Sequence, residues 1–279
     1  MNRIYILGAS GFIGTNLTKY LESFQIESVE VGRNGAEIVV DLNEGNFGQL
    51  DESIESGDTL IFLASISAPS TCESDPEMSH RVNLTNTSKL IASLLRRQVK
   101  VLFASSDLVF GSGVGTFGDE DTPFPFGKYG EMKAAIETEF SDHSNFKAAR
   151  LSLVCGPGDD YSNLLAEKLQ AGEEIEVFLG FERCVVSLAD VLEGIKLLIE
   201  NWDHHRLRTI NFSGPELLTR EELTRVLSVS VFQGLNFKTS EAPSGFWDSR
   251  SKSISTGCAG LASLLNREPT KISQAVKKW

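Results

Sequence analysis

The chain has 279 residues, 41% hydrophobic and 23% charged, enough apolar material for one large core or two coupled ones. Its net charge of -12 excludes bulk electrostatic attraction to nucleic acid or an anionic membrane, so an anionic substrate must be held by local donors. Cys72, Cys155, Cys184 and Cys258 are scattered without C-x-x-C spacing, the four histidines lack metal-ligand spacing, and no stretch reaches transmembrane length; the expectation is free thiols, no metal, no signal peptide and a cytoplasmic protein.

Ile4 to Leu7 is a short apolar run that predicts a strand. It runs into Gly8-Ala9-Ser10-Gly11-Phe12-Ile13-Gly14, and Ile13, Leu17, Leu21 and Phe24 then recur at helical spacing. Strand, glycine turn and helix together predict a dinucleotide site. Gly8 permits the turn, Gly11 admits a pyrophosphate, Gly14 lets helix and strand pack closely, and the helix N-terminus faces the phosphates. The spacing is G-x-x-G-x-x-G and not G-x-G-x-x-G.

A second strand over 28–31 ends in Gly32-Arg33-Asn34. In such folds an acid at this point binds the 2'-hydroxyl of NAD, whereas an arginine accommodates the 2'-phosphate of NADP. Arg33 therefore favours NADP, with NAD as the alternative; a solvated loop cation is the other reading of Arg33. A third strand is expected over 37–42, where Asp41 could accept a bond from the adenine amino group, and a central buried strand over 58–65. Asp75 and Pro76 predict the start of a long helix that Arg96-Arg97 closes.

A fifth strand over 99–104 leads into Ser105-Ser106-Asp107, then a glycine-rich loop over 111–118 with Pro123 and Pro125 beyond it. Tyr129 and Lys133 fall four apart on the next helix and so share a face. A tyrosine phenol is a poor acid or base near neutrality. An ammonium beside it, with a positively charged nicotinamide, favours the phenolate, and the lysine can also hold the nicotinamide ribose. Ser106, at a strand end, is placed to orient a substrate oxygen. A strand over 146–154 follows. The pattern then loosens into a short helix over 163–170, a helix capped by Ser187, a strand over 209–212, a helix opened by the Thr219 capping box, and forty C-terminal residues of loops and one or two short helices. Alternating strands and helices predict an α/β chain: a Rossmann-type, doubly wound parallel sheet over 1–155, with 187–212 returning to it, and a smaller C-terminal α/β substrate-binding cap formed by 156–186 and 213–279.

These motifs together resemble the extended short-chain dehydrogenases/reductases, the family of nucleotide-sugar epimerases, dehydratases and 4-ketosugar reductases. The resemblance runs through Gly8, Gly11 and Gly14, Asp41-Leu42, Leu63-Ala64-Ser65, Asn83, Ser105-Ser106 to Val109-Phe110-Gly111, Tyr129 and Lys133, and Gly156-Pro157-Gly158. It implies a Ser106, Tyr129 and Lys133 triad, with Asn83 supporting a bound water near the lysine (its other reading is helix capping or packing). It implies a cofactor seat made of Gly8, Ser10, Gly11, Phe12, Ile13, Gly14, Arg33, Asp41, Leu42, Leu63, Ala64 and Ser65 with Tyr129 and Lys133.

Leu108 stands where the family's 4,6-dehydratases carry a Glu and where its GDP-fucose synthase kind places a Cys, which puts both of those activities in doubt. Ser-Asp-x-Val-Phe, and Pro157-Gly158 followed by Asn163-Leu164, are most similar to the dTDP-4-dehydrorhamnose reductase group. Arg183 matches a position that binds nucleotide phosphates in UDP-sugar 4-epimerases, or makes a surface ion pair. Asp107 is a substrate hydroxyl contact or a strand-end turn residue. The expected function is NADP(H)-dependent reduction of a 4-keto nucleotide-linked sugar, with Asp107, Asn163 and Arg183 as substrate contacts. The alternatives are an NAD-dependent nucleotide-sugar 4-epimerase and a non-catalytic cofactor-binding regulatory subunit. The family also implies a homodimer built on two helices from each subunit.

Overall fold

In a computed structural model, residues 2–111, 113, 115–248 and 250–279 are described; Met1, Ser112 and Val114 of the glycine-rich loop, and Ser249 lie outside them. Seven strands form one parallel sheet. Five come early: β1 (Ile4–Leu7), β2 (Ser28–Gly32), β3 (Ile38–Val39), β4 (Thr59–Phe62) and β5 (Lys100–Ser106). Phe146–Leu151 and Thr209–Phe212 complete the order Thr209–Phe212, Phe146–Leu151, β5, β4, β1, β2, β3. The order reverses between β1 and β4, so the strand ends on either side of that reversal open a crevice.

Side chains alternate across the sheet, and the core divides accordingly. Tyr5, Leu7, Leu60, Phe62, Val101 and Phe103 pack on one side, against helices that contribute Leu90, Leu94 and Ile136. Ile6, Ile61, Leu102, Ala149 and Ile210 pack on the other, against Leu17 and Leu21 of helix α1 (Phe12–Ser23) and against Val191 and Ile195. The sheet is covered on both faces, which is why β4 is buried throughout and apolar beyond Thr59. Leu261 and Leu265 of the helix Ala259–Leu265 join the second cluster, so part of the last forty residues packs back on the sheet.

Several elements differ from expectation. The third strand is only two residues long, because Asp41 leaves it to bridge Asn46. The long helix begins as expected, with Met78 N donating to Asp75 Oδ1 at 3.0 Å, but it is not uniform. An α-turn at Pro76–His80 widens into a π-turn at Arg81–Asn86 before α-helix resumes at Thr87–Arg96. The wide turn carries Asn83 and Asn86, both buried; Asn86 Nδ2 donates to Leu42 O at 2.7 Å. Bulges of this kind cluster at functional sites.

A second, smaller sheet was not expected. Glu182–Cys184 lies between Leu217–Thr219, antiparallel, and Ser253–Thr256, parallel; the latter also pairs with Thr116–Phe117. The loop after β5 is thereby tied to the C-terminal unit. Asp119 reinforces the tie by accepting from Asn211 N at 2.6 Å and Gly260 N at 3.0 Å. The caps at Ser187 and Thr219 form as the sequence predicts.

Candidate active site

The crevice is a cleft of about 710 Å³. Its floor is the glycine turn. Gly8 has φ +97°, and a Cβ there would lie 2.8 Å from Ala64 N, so the position admits only glycine. A Cβ on Gly14 would lie 2.2 Å from Gly8 O and 2.7 Å from Ala9 Cα, whereas one on Gly11 would meet only Gly8 O, at 3.3 Å. Gly14 is thus required by packing, and Gly11 is bare on the side that faces the cleft. Helix α1 starts at Gly11 with no side-chain cap and no acid in its first turn, which leaves its N-terminal N–H groups for an anion. These two glycines should separate in experiment. Gly14→Ala is expected to lose about 1–3 kcal/mol of stability through backbone displacement. Gly11→Ala should melt near the wild-type temperature yet bind nicotinamide dinucleotide at least tenfold more weakly, which calorimetry and thermal melts would show.

Ser10, Gly11, Phe12, Ile13, Arg33, Asp41, Leu42, Leu63, Ala64 and Ser65 all line this cleft. Arg33 is exposed at the end of β2 and forms no ion pair among the described residues, so its guanidinium is available at the rim. Asp41 Oδ1 accepts from Asn43 N at 2.7 Å, an Asx turn that fixes the rim beyond the third strand. The set suits a dinucleotide: a capless helix end for the pyrophosphate, an exposed cation at the rim, and apolar walls.

The far wall carries the chemistry. Tyr129 lines the cleft beside Ala104 and Ser105. Burial pushes its phenol up to about 12, with the Ser65 hydroxyl acting in the opposite direction. Lys133, one helical turn on, stands behind it and is 2% exposed. Its Nζ donates to Ala104 O at 2.7 Å, lies 4.4 Å from the Phe103 ring centroid and is 5.6 Å from that of Tyr129. Burial lowers the ammonium to about 7, opposed by Glu137. Desolvation thus moves both groups toward their neutral forms, the tyrosine keeping its proton. Glu137 continues the Tyr129–Lys133 stripe by another turn and is itself clamped, Arg150 Nη2 meeting Oε2 at 2.8 Å with both side chains 3% exposed.

Ser106 closes β5. Its hydroxyl donates to Asp107 Oδ1 at 3.3 Å and accepts from Leu108 N at 3.2 Å. Asn83 does not reach the lysine through its side chain. Its amide grips Ile66 at both ends, Nδ2 to Ile66 O and Ile66 N to Oδ1, each at 2.8 Å, and so positions the segment after β4.

The three substrate candidates fall differently from expectation. Asp107 and Arg183 are partners of each other: Arg183 Nε lies 3.5 Å from Asp107 Oδ2, with the side chains 5% and 6% exposed. Asp107 also accepts from Ser152 Oγ at 2.8 Å. Arg183 also donates from Nη1 to the carbonyls of Glu182 and Lys252 and from Nη2 to that of Ser251. Neither is a surface contact. Asn163 is exposed and bonds Gly158 O at 3.1 Å, while Asp160, which sequence reasoning passed over, lines the cleft. The Glu137–Arg150 pair was also missed; only the i, i+4 continuation from Lys133 to Glu137 hinted at it.

A family model, the NAD dependent epimerase/dehydratase family, matches residues 4–211. Among curated proteins the chain is 22% identical over 229 residues to ADP-L-glycero-D-manno-heptose-6-epimerase of Brachyspira hyodysenteriae, covering 71% of this chain and 72% of that one. It is 28% identical over 189 residues to the probable low-salt glycan biosynthesis reductase Agl14 of Haloferax volcanii, covering 62% and 63%. Among solved structures, dTDP-4-dehydrorhamnose reductase of Bacillus anthracis in complex with NADP superposes with a TM-score of 0.85 at 18% identity, covering 100% of this chain and 98% of that one.

Proposed function

Because this chain belongs to the NAD dependent epimerase/dehydratase family, we propose that it is an NADP(H)-dependent reductase of a 4-keto nucleotide-linked sugar. The observation that carries the reading is Arg33: an unpaired cation stands where an acid would select NAD, and it borders the cleft. A protonated Tyr129 fits the same direction of reaction, since reduction of a carbonyl consumes a proton. Reductases and epimerases both occur among the similar proteins.

Gly8, Gly11 and the start of α1 would hold the pyrophosphate, Arg33 the 2'-phosphate, and Asp41 and Leu42 the adenine edge. NADPH bound there would supply the hydride. Tyr129 gives its phenolic proton to the carbonyl oxygen. Ser106 turns its hydroxyl from the long bond to Asp107 toward that oxygen, and Leu108 N keeps the serine in register. Lys133, in its protonated form, sets an ammonium behind the phenol that steadies it as the proton leaves. Asn83 keeps the strand end from shifting by clamping Ile66.

Arg33→Ala is expected to weaken NADPH binding by roughly tenfold to a hundredfold, the range of a lost bond to a charged group, and to leave NADH binding unchanged. Titration of the purified protein with each cofactor decides this. Equal losses for both would remove the basis of the NADP assignment. Tightly held NAD in freshly purified protein, seen by its absorbance, would instead favour the 4-epimerase.

A further inference from the structure

Three buried polar side chains sit on or beside one wide turn of helix. The π-turn at Arg81–Asn86 bonds i to i+5 in place of i to i+4, so it holds one more residue than an α-turn. Side chains three apart are near neighbours on an α-helix; the wider turn swings them apart. Asn83 and Asn86 accordingly reach different strand ends. Asn83 grips both backbone polar groups of Ile66, past β4. Asn86 Nδ2 reaches Leu42 O, past β3, and Lys89 Nζ lies 3.5 Å from its Oδ1. Thr87, 1% exposed, donates its hydroxyl to Val82 O at 2.7 Å, five residues back, and ties the turn together.

Both anchor points belong to the cleft. Leu42 and Asn43 line it, as do Ser65, Ile66 and Val82 of the turn itself. The loop at 41–46 has few other holds. Asn43 N bonds Asp41 Oδ1, Gly45 N bonds Asp41 O, and Asp41 bridges Asn46, all within the loop. Among the described residues, its polar anchors to distant parts of the chain come from the π-turn: Asn86 at Leu42 O, and Arg81 Nε at Asn43 Oδ1, 2.9 Å. Gly45 closes the contact from the loop side. Its φ is +71°, and a Cβ there would lie 2.9 Å from the Asn86 amide.

We infer that the π-turn is a brace that spaces the two halves of the cofactor seat, and that Asn86 is a positioning residue for the adenosine half. Asn83 is its counterpart for the nicotinamide half: Ser65, next to the residue that Asn83 holds, bonds the Tyr129 phenol. One end of the brace thus acts on the chemical wall and the other on the adenine rim. The inference rests on the dinucleotide reading above.

The test is calorimetric titration of the full chain with NADPH, NADH, adenosine 2',5'-bisphosphate and ADP, in the wild type, Asn86→Leu, Gly45→Ala and Asn83→Leu. Asn86→Leu keeps the volume and removes the amide. Gly45→Ala presses on the same amide from the loop and leaves the helix sequence intact. Expected for both is a loss of roughly tenfold in affinity for adenosine 2',5'-bisphosphate and an equal loss for NADPH, because the damaged contact lies in the half that the two ligands share. Asn83→Leu is expected to weaken NADPH by a similar factor and to leave adenosine 2',5'-bisphosphate unchanged. Melting temperature falls in each variant, so the pattern across ligands is the readout. Adenosine 2',5'-bisphosphate binding that both Asn86→Leu and Gly45→Ala leave within twofold of wild type overturns the inference. An Asn83→Leu chain that loses both ligands equally also overturns it, since general loosening then explains all three variants. If Asn86→Leu does not fold, Gly45→Ala decides between the same results. A wild type that binds NADH and ADP with this pattern, and not the 2'-phosphorylated pair, keeps the brace and removes the NADP assignment. A wild type that binds none of the four overturns both.

Discussion

Tyr129→Phe is expected to lower the turnover of a 4-keto nucleotide sugar by about a thousandfold, within the range for a lost general acid, while NADPH affinity and melting temperature stay at wild-type values. The ring is 9% exposed and packs with Cys72 and Met132, so phenylalanine preserves its volume and contacts. Only the hydroxyl is lost. Because burial holds the wild-type phenol up to about 12, it is protonated across the neutral range. Reduction should therefore show no alkaline fall assignable to Tyr129 below pH 9. Stopped-flow oxidation of NADPH measures both effects. Turnover in Tyr129→Phe within tenfold of wild type would place the proton donor elsewhere on the cleft wall, where Ser65, Ser67, Thr71 and Ser105 also carry hydroxyls.

Local chemistry was legible and long-range pairing was not. The glycine turn, the Ser187 cap and the Thr219 box depend on neighbours within a turn or two, and each takes the expected form. Tyr129 and Lys133 share a face because helix geometry alone puts them there. Asp107 and Arg183 were both visible as candidates, but nothing local shows that they would be spent on each other: their meeting depends on the small sheet, whose register involves 217–219 and 253–256. Those strands are three or four residues long and half polar, too short for alternation to announce them. The π-turn at 81–86 was hidden for a different reason. Its apolar stripe reads as ordinary helix, and the extra residue becomes visible only because Asn83 and Asn86 bond backbone on separate loops.

Lys133→Met is expected to trade activity for stability, with a pH signature that identifies the cause. The wild-type ammonium is buried, and its pKa is lowered from 10.5 to about 7, chiefly by desolvation. Below pH 7 the lysine is charged in both folded and unfolded chains, and the folded state carries the whole burial cost. Between about 7 and 10.5 the folded lysine is neutral while the unfolded one still binds a proton, so wild-type stability rises with pH across that window. Methionine fills similar volume and has no such linkage. It forfeits the bond to Ala104 O, worth about 1 kcal/mol, and the cation over Phe103, worth about 2 kcal/mol when desolvated. It also sheds a burial penalty of several kcal/mol. The net gain at pH 6 should be on the order of 1–2 kcal/mol; because wild-type stability rises by about 1.4 kcal/mol per pH unit above pH 7, the gain should vanish near pH 8 and reverse by pH 9, while turnover at pH 6 falls roughly a hundredfold for want of the charge behind Tyr129. Paired denaturant titrations at pH 6, 7.5 and 9 read the difference directly, because every other titrating group is common to both proteins. A gap that stays constant, or widens with pH, would mean that the lysine is not the strained group and that its charge is already compensated in the fold.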